Sequence, residues 1–285
     1  MKPKHLARRI VFASLAIVLT AVTIVANVLL DKYSLILHRF VAGDSATVGK
    51  DASDALENSD NVVRTAAEES MVLLENKDDY LPLRGLTKVN LFGYGSTDAG
   101  FLLTGGGSGG TSITDEKAVK IDLTDAFKDA GIEYNKNLIS AYEAFSTFDA
   151  DWRSGGSTGA KATESLLNPD ADFYSASRMD EAYAYSHVAV VTLSRWGCEN
   201  GGDKELVDIG KYLNGTFLEL TAEEKAMLDA LENKNFEVIV LLNTCNNMEL
   251  GFVKDYSSIK ACIYVGIPGQ SGASAIPKKI GRAHV

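Results

Sequence analysis

His187-Val188-Ala189-Val190-Val191-Thr192-Leu193 runs directly into Ser194-Arg195-Trp196-Gly197-Cys198-Glu199-Asn200-Gly201-Gly202-Asp203. The first seven residues are short, apolar and rich in β-branched side chains, which reads as a buried strand. The next ten change character: one Arg, two acids and three glycines. A buried strand of an open α/β sheet delivers its following loop into the crevice beyond the strands' C-terminal ends, where such sheets bind ligands. Glycines allow tight turns and close backbone approach, and Glu199 is a carboxyl set where chemistry can use it.

The same alternation extends along the chain. Residues 61–75 fit a helix with Val63, Ala67, Met71 and Leu74 along one face, and Leu81-Pro82-Leu83 closes that unit. Lys88-Val89-Asn90-Leu91-Phe92-Gly93 predicts the first strand. A helix over 123–130 stops at Gly131, a favoured residue just past a helix end, and 132–134 is a weak second strand. Residues 137–148 predict a helix, and 149–172 a polar insertion with little core-forming content. Thr221-Ala222-Glu223-Glu224 has the capping-box pattern and opens a helix carrying Leu228 and Leu231. Strands follow at 236–242 and 261–265. The expectation is an α/β fold, a mainly parallel sheet flanked by helices, over residues 61–276.

Bulk properties narrow the function. The 285 residues are 46% hydrophobic and 23% charged, with formal charge −10. Four of the positives, Lys2, Lys4, Arg8 and Arg9, precede the first apolar run, leaving 24 basic against 38 acidic residues in the body. So acidic a body argues against nucleic acid, whose phosphates need Lys and Arg clusters. Residues 10–30 are apolar apart from Ser14, Thr20, Thr23 and Asn27, and as a helix they span about 30 Å, the hydrocarbon thickness of a bilayer. The basic segment 1–9 favours a cytoplasmic N-terminus and an extracellular body. The expectation is a single-pass transmembrane signal anchor at 10–30 in the cell membrane, followed by a connector at 31–60. A cleaved signal peptide competes, but its apolar region is normally 7–15 residues and ends in a small-residue site.

Three glycine-bearing loops follow strands: 105–110, 197–202 and 266–272. In a parallel sheet they lie on one edge, so they can share one crevice. Gly105–Gly110 lacks the Gly-Lys-Ser/Thr ending of a phosphate-binding loop, and Gly93-Tyr94-Gly95 does not complete GxGxxG, which weakens a nucleotide reading. Cys198, Cys245 and Cys262 are isolated and form neither a disulfide framework nor a zinc pattern. None of the four histidines neighbours a plausible Ser or Cys nucleophile in sequence.

Six segments in order resemble glycoside hydrolase family 3. Ala67–Asn76 with Leu81-Pro82-Leu83 looks like its entry helix and turn, and Lys88–Gly93 like its first strand. Gly105-Gly106-Gly107-Ser108-Gly109 is similar to its Gly-Gly-Gly-Ser-Gly loop. Ser194–Asp203 resembles its acid/base loop, Ser-Arg-x-x-Gly-Glu-Gly-x-Asp, with Cys198 in place of a Gly and one extra residue before Asp203. Val238–Leu250 and Gly266–Gly272 resemble its closing strands and Pro-Gly-Gln turn.

The resemblance implies an α/β sandwich that supplies the acid/base Glu, and a separate (β/α)₈ barrel that supplies an Asp nucleophile. Glu199 would be the acid/base. Arg195, Gly106, Gly107, Ser108, Gly109 and Asp203 would surround the sugar, with Asp203 holding the loop. The substrate would be a β-linked glucoside, cleaved with retention and without metal or organic cofactor. Asp151-Trp152 does not fit the nucleophile, because no apolar strand precedes it. The sandwich directly follows the anchor, so the domain order looks reversed, and the barrel would lie beyond residue 285. This chain alone would then be an inactive fragment of the hydrolase. The alternative is a non-catalytic, membrane-tethered carbohydrate-binding or interaction module. Residues 277–285 turn basic and lack the expected apolar helical pattern, which reads as a truncated or non-native tail.

Overall fold

A computed structural model describes residues 3–42, 50–104, 119–145, 168–195, 218–244 and 247–281. The chain divides into two units, Met1–Leu56 and Glu57–Val285.

The first unit holds α1 (Pro3–Ala42), longer than the apolar run inside it. Its segment Arg8–Leu30 is long and apolar enough to cross a membrane. Thr20, Thr23 and Asn27 turn their side chains back onto the carbonyls of Ala16, Leu19 and Thr23, at 2.9, 2.9 and 3.0 Å. These three polar interruptions are thus satisfied within their own helix.

In the second unit, among the described residues, six strands form one sheet: β1 (Val72–Asn76), β2 (Lys88–Phe92), β3 (Glu133–Tyr134), β4 (Val188–Arg195), β5 (Glu237–Thr244) and β6 (Ile259–Tyr264). Their order is β1-β6-β5-β4-β2-β3. Only the β1–β6 pair is antiparallel. α2 (Lys50–Ser70) runs across the boundary between the units, and the α-helices of the second unit among the described residues are otherwise α3 (Leu123–Asp129), α4 (Lys136–Phe145), α5 (Ala176–Tyr185), α6 (Ala222–Asn233), α7 (Phe252–Asp255) and α8 (Ala275–Gly281).

The central strands are buried on both faces, and alternate side chains serve two cores. Val190, Ile239, Leu241 and Ile263 face one core with Ala67 of α2, Leu123 and Phe127 of α3, and Ile276 and Ile280 of α8. Val191, Leu193, Val238, Val240 and Leu242 face the other with Tyr142 of α4, Met179 of α5, and Met227, Leu228 and Leu231 of α6. Each such aliphatic side chain contributes about 1.5–3 kcal/mol relative to exposure, so this double burial is what makes the strands continuous apolar runs.

The helix ends follow the expected chemistry. Asp122 caps α3 by accepting from Asp125 N at 2.9 Å, and Gly131 takes φ +74 just beyond it. Thr221 and Glu224 form the capping box of α6.

Four boundaries differ from the sequence expectation. The helix predicted for 61–75 ends at Ser70, and Val72–Asn76 is instead an edge strand paired with β6. Apolar spacing alone did not separate Val72, Leu73 and Leu74 from the helix; ladder pairing with Ala261–Tyr264 decides it. The connector 31–60 is largely helical, since α1 runs to Ala42 and α2 starts at Lys50. The end of the polar insertion reaches the interior through the buried Asn168 and Pro169, whereas 149–167 lies outside the described residues. Residues 277–281 continue α8 and bury Pro277 and Ile280, the latter in the core it shares with Ile239, Leu241 and Ile263 of the sheet. Leu83 N donates to Ile280 O at 2.8 Å, and Lys278 pairs with Glu68. Basic residues there hide an apolar face that the sheet completes.

Candidate active-site edge

The site is built where β2, β4, β5 and β6 end. β4 and β5 run two residues farther than their apolar stretches, carried by pairing of Ser194 with Asn243 and of Arg195 with Thr244. Arg195 therefore closes a strand rather than opening a loop.

Just past β2, Gly93 adopts φ +88, and a Cβ there would meet Thr192 O at 2.7 Å. A Cβ on Gly95 would lie 2.4 Å from Ser194 Oγ. Only glycine lets this turn press against the end of β4. Tyr94 N donates to Asn168 Oδ1 at 2.7 Å, and Ser96 Oγ donates to Phe92 O, with Thr192 Oγ1 also 2.8 Å away.

Asn243 joins the loop roots. It is fully buried; its Oδ1 accepts from Leu102 N at 2.7 Å and from Ser194 Oγ at 3.1 Å, and its Nδ2 donates to Leu102 O at 2.9 Å and Gly266 O at 2.8 Å. Leu102 leads toward 105–110, Ser194 toward 197–202, and Gly266 opens 266–272. Ile121, on the far side of the first loop, donates its amide to Gln270 O of the third at 2.8 Å. The three glycine-bearing segments thus start from one point.

Arg195 is buried, and its Nη1 and Nη2 each lie 2.6 Å from an oxygen of Glu224. Nη1 also donates to Ser194 O at 3.1 Å and Nη2 to Glu219 O at 3.2 Å. Those acceptors account for both protons of each terminal nitrogen. Burial opposes the charge, but the Glu224 carboxylate and its hydrogen bonds outweigh it and hold the Arg195 pKa above its ordinary value. Glu224 Oε2 additionally accepts from Thr221 N at 2.9 Å, so one carboxylate serves both the helix cap and the ion pair.

Of the residues expected at the site, Gly106, Gly107, Ser108, Gly109, Cys198, Glu199 and Asp203 lie outside the described residues. Arg195 is described, and its terminal nitrogens face Glu224 and two carbonyls rather than open space. Asn243, Asn168 and the ion-pair role of Glu224 were not anticipated. A polar residue ending the apolar run Val238–Leu242 was the one available signal for Asn243. Among the described residues, no group of three or more His, Cys, Asp or Glu side chains is placed to hold a metal.

Residues 71–282 match the glycosyl hydrolase family 3 C-terminal domain. The chain belongs to that family. The match carries the family 3 domain through residue 282, past the boundary expected at 276. β-Glucosidase A of Butyrivibrio fibrisolvens is 28% identical over 229 residues, covering 74% of this chain and 26% of that protein. The chain thus spans about a quarter of that relative's length. The fold is shared with β-glucosidase 3B from Thermotoga neapolitana, solved with α-D-glucose, at TM-score 0.59 and 22% identity over 79% of this chain and 29% of that one. It is likewise shared with a β-glucosidase from Paenibacillus barengoltzii, at TM-score 0.60 and 22% identity over 79% of this chain and 23% of that one. This is a β-glucosidase-like family 3 sandwich.

Proposed function

We propose that this sandwich supplies the acid/base half of a retaining β-glucosidase site, with Glu199 as the acid/base. The observation that supports the reading is the Asn243 junction, which ties the roots of all three glycine-bearing segments, at Leu102, Ser194 and Gly266, to one sheet edge. The relatives named as β-glucosidases supply the substrate class.

Retaining hydrolysis needs two carboxyl groups about 5–5.5 Å apart. In the first step a carboxylate attacks the anomeric carbon while Glu199 gives its proton to the leaving oxygen. In the second, ionised Glu199 takes a proton from water as that water displaces the enzyme carboxylate. The attacking Asp would come from a (β/α)₈ barrel, as the family resemblance implies, not from the sandwich. Gly106, Gly107, Ser108 and Gly109 would offer backbone and hydroxyl groups to the sugar. Asp203 would hold the Glu199 loop, and Arg195 would act from below it through Glu224.

In the same reading α1 anchors the chain, with the N-terminus cytoplasmic and the sandwich outside. The basic residues Lys2, Lys4, Arg8 and Arg9 support that orientation, and the self-satisfied Thr20, Thr23 and Asn27 support residence in hydrocarbon.

Titrating the full chain in detergent micelles with glucose and, separately, with ATP tests the binding half of this reading. Saturable glucose binding without ATP binding is expected. ATP binding without glucose binding would replace the reading with a nucleotide-binding one.

A further inference from the structure

We propose that Asn243 is the positioning residue of this site, one buried amide that sets the spacing of all three loop roots. The proposal rests on the β-glucosidase-like reading and adds to it the residue through which the site's geometry is held.

The amide has no spare capacity. Two donors and two acceptor positions meet two carbonyls, one amide N–H and one hydroxyl. Turning it over would set its oxygen against two carbonyl oxygens and its NH₂ against an N–H, so one orientation alone fits. Leu102 is held by both its N–H and its C=O, as a residue of a neighbouring strand would be. The side chain of Asn243 thereby extends the sheet by one rung and docks the approach to the first loop on it.

There is also no slack. Ser194 Oγ, one of the four partners, lies against the backbone of Gly95 so closely that a Cβ would fall 2.4 Å from it. Gly266, another partner, sits at φ +67, and both its amide and that of Val265 donate to Leu242 O. A shift of the amide therefore moves the second and third roots together with the first.

A second buried amide in the same sheet provides the control. Asn90 is fully buried, donates to Ala182 O at 2.8 Å and Ser186 O at 2.7 Å, and accepts from Asn135 Nδ2 at 2.9 Å. It pairs with Ala189, five residues before Ser194 on β4, or about 16 Å away along the strand. Removing Asn243 takes donors from Leu102 O and Gly266 O, and removing Asn90 takes them from Ser186 O and from Ala182 O, which keeps the Ser186 amide; of the two amides, Asn243 is the one that bonds the loop roots.

The test is the glucose dissociation constant of the full chain in detergent micelles, measured well below each variant's unfolding transition. Asn243→Ser is expected to weaken glucose binding about tenfold. Asn90→Ser is expected to lower stability comparably while leaving affinity within about twofold. Equal affinities for Asn243→Ser and the unsubstituted chain, or equal weakening by both variants, would overturn the positioning role. If Asn243→Ser does not fold, Ser194→Ala decides, because it deletes one of the four contacts. A loss of about threefold supports the role and an unchanged affinity overturns it. Absence of glucose binding by the unsubstituted chain would overturn the proposed sugar site on this sandwich, and the role with it, while leaving the family 3 fold in place.

Discussion

Arg195, the last residue of β4, and Glu224, in the first turn of α6, form a bidentate ion pair with both arms at 2.6 Å and side chains only 5% and 2% exposed. The pair joins the two ends of the stretch that carries Glu199, since Arg195 also donates to Glu219 O. A buried pair of this kind is costly to break and less costly to replace, because a single deletion strands a charge in the interior.

Arg195→Met or Glu224→Leu alone should each destabilise the domain by about 3–5 kcal/mol, a fall in melting temperature on the order of 10 °C. The double variant should be more stable than either single one. Thermal and urea unfolding of the three variants checks this, and additive losses would show that the two side chains act independently.

Gly93→Ala should cost about 2–3 kcal/mol, because it forces a left-handed backbone on a side-chain-bearing residue and sets a Cβ 2.7 Å from Thr192 O. Gly131→Ala has a similar φ but nothing within 4 Å of the added Cβ. It should cost about 1 kcal/mol. Unfolding midpoints of the two variants separate steric crowding from backbone strain.

Glu232 gives the stability a pH signature. Burial works against its charge, but hydrogen bonds from Ser257 Oγ and the Ser257 and Ser258 amides hold its pKa down to about 2. Because this lies below the unfolded value, the contribution is full above about pH 4.5 and is lost as pH falls toward 2. The stability gap between the unsubstituted chain and Glu232→Gln should therefore be constant near neutrality and close across that window. A gap that widened on acidification would contradict the assignment.

Cys262 on β6 is buried in the core, and burial, with a smaller push from Glu75, raises its thiol pKa to about 12. It should stay unlabelled by a thiol reagent at pH 8 until the domain unfolds. Peptide mapping of the labelled protein identifies the cysteine directly.

The parallel sheet was legible because each central strand is a run such as Val188–Leu193 or Val238–Leu242, buried on both sides and bounded by glycine or polar residues. Thr221–Glu224 announced its helix because capping is local chemistry. The Met71–Glu75 region was not legible, since Val72, Leu73 and Leu74 continue a helical spacing and only pairing with β6 makes them a strand. The site's supports were hidden for the same reason at longer range. Asn243 meets Leu102 across 141 positions, and Arg195 meets Glu224 across 29. No local pattern marks either contact. The extra job of Glu224 was also masked by its obvious one, the helix cap.

The most direct test of the central claim is glucose release from cellobiose by the full chain supplied with a family 3 barrel domain in trans. Cellobiose has a poor leaving group, so its cleavage depends on a proton donor. Turnover is predicted for the unsubstituted chain and a fall of about 10²–10⁴-fold for Glu199→Gln. Equal rates for the two chains would contradict the assignment of Glu199 as the acid/base.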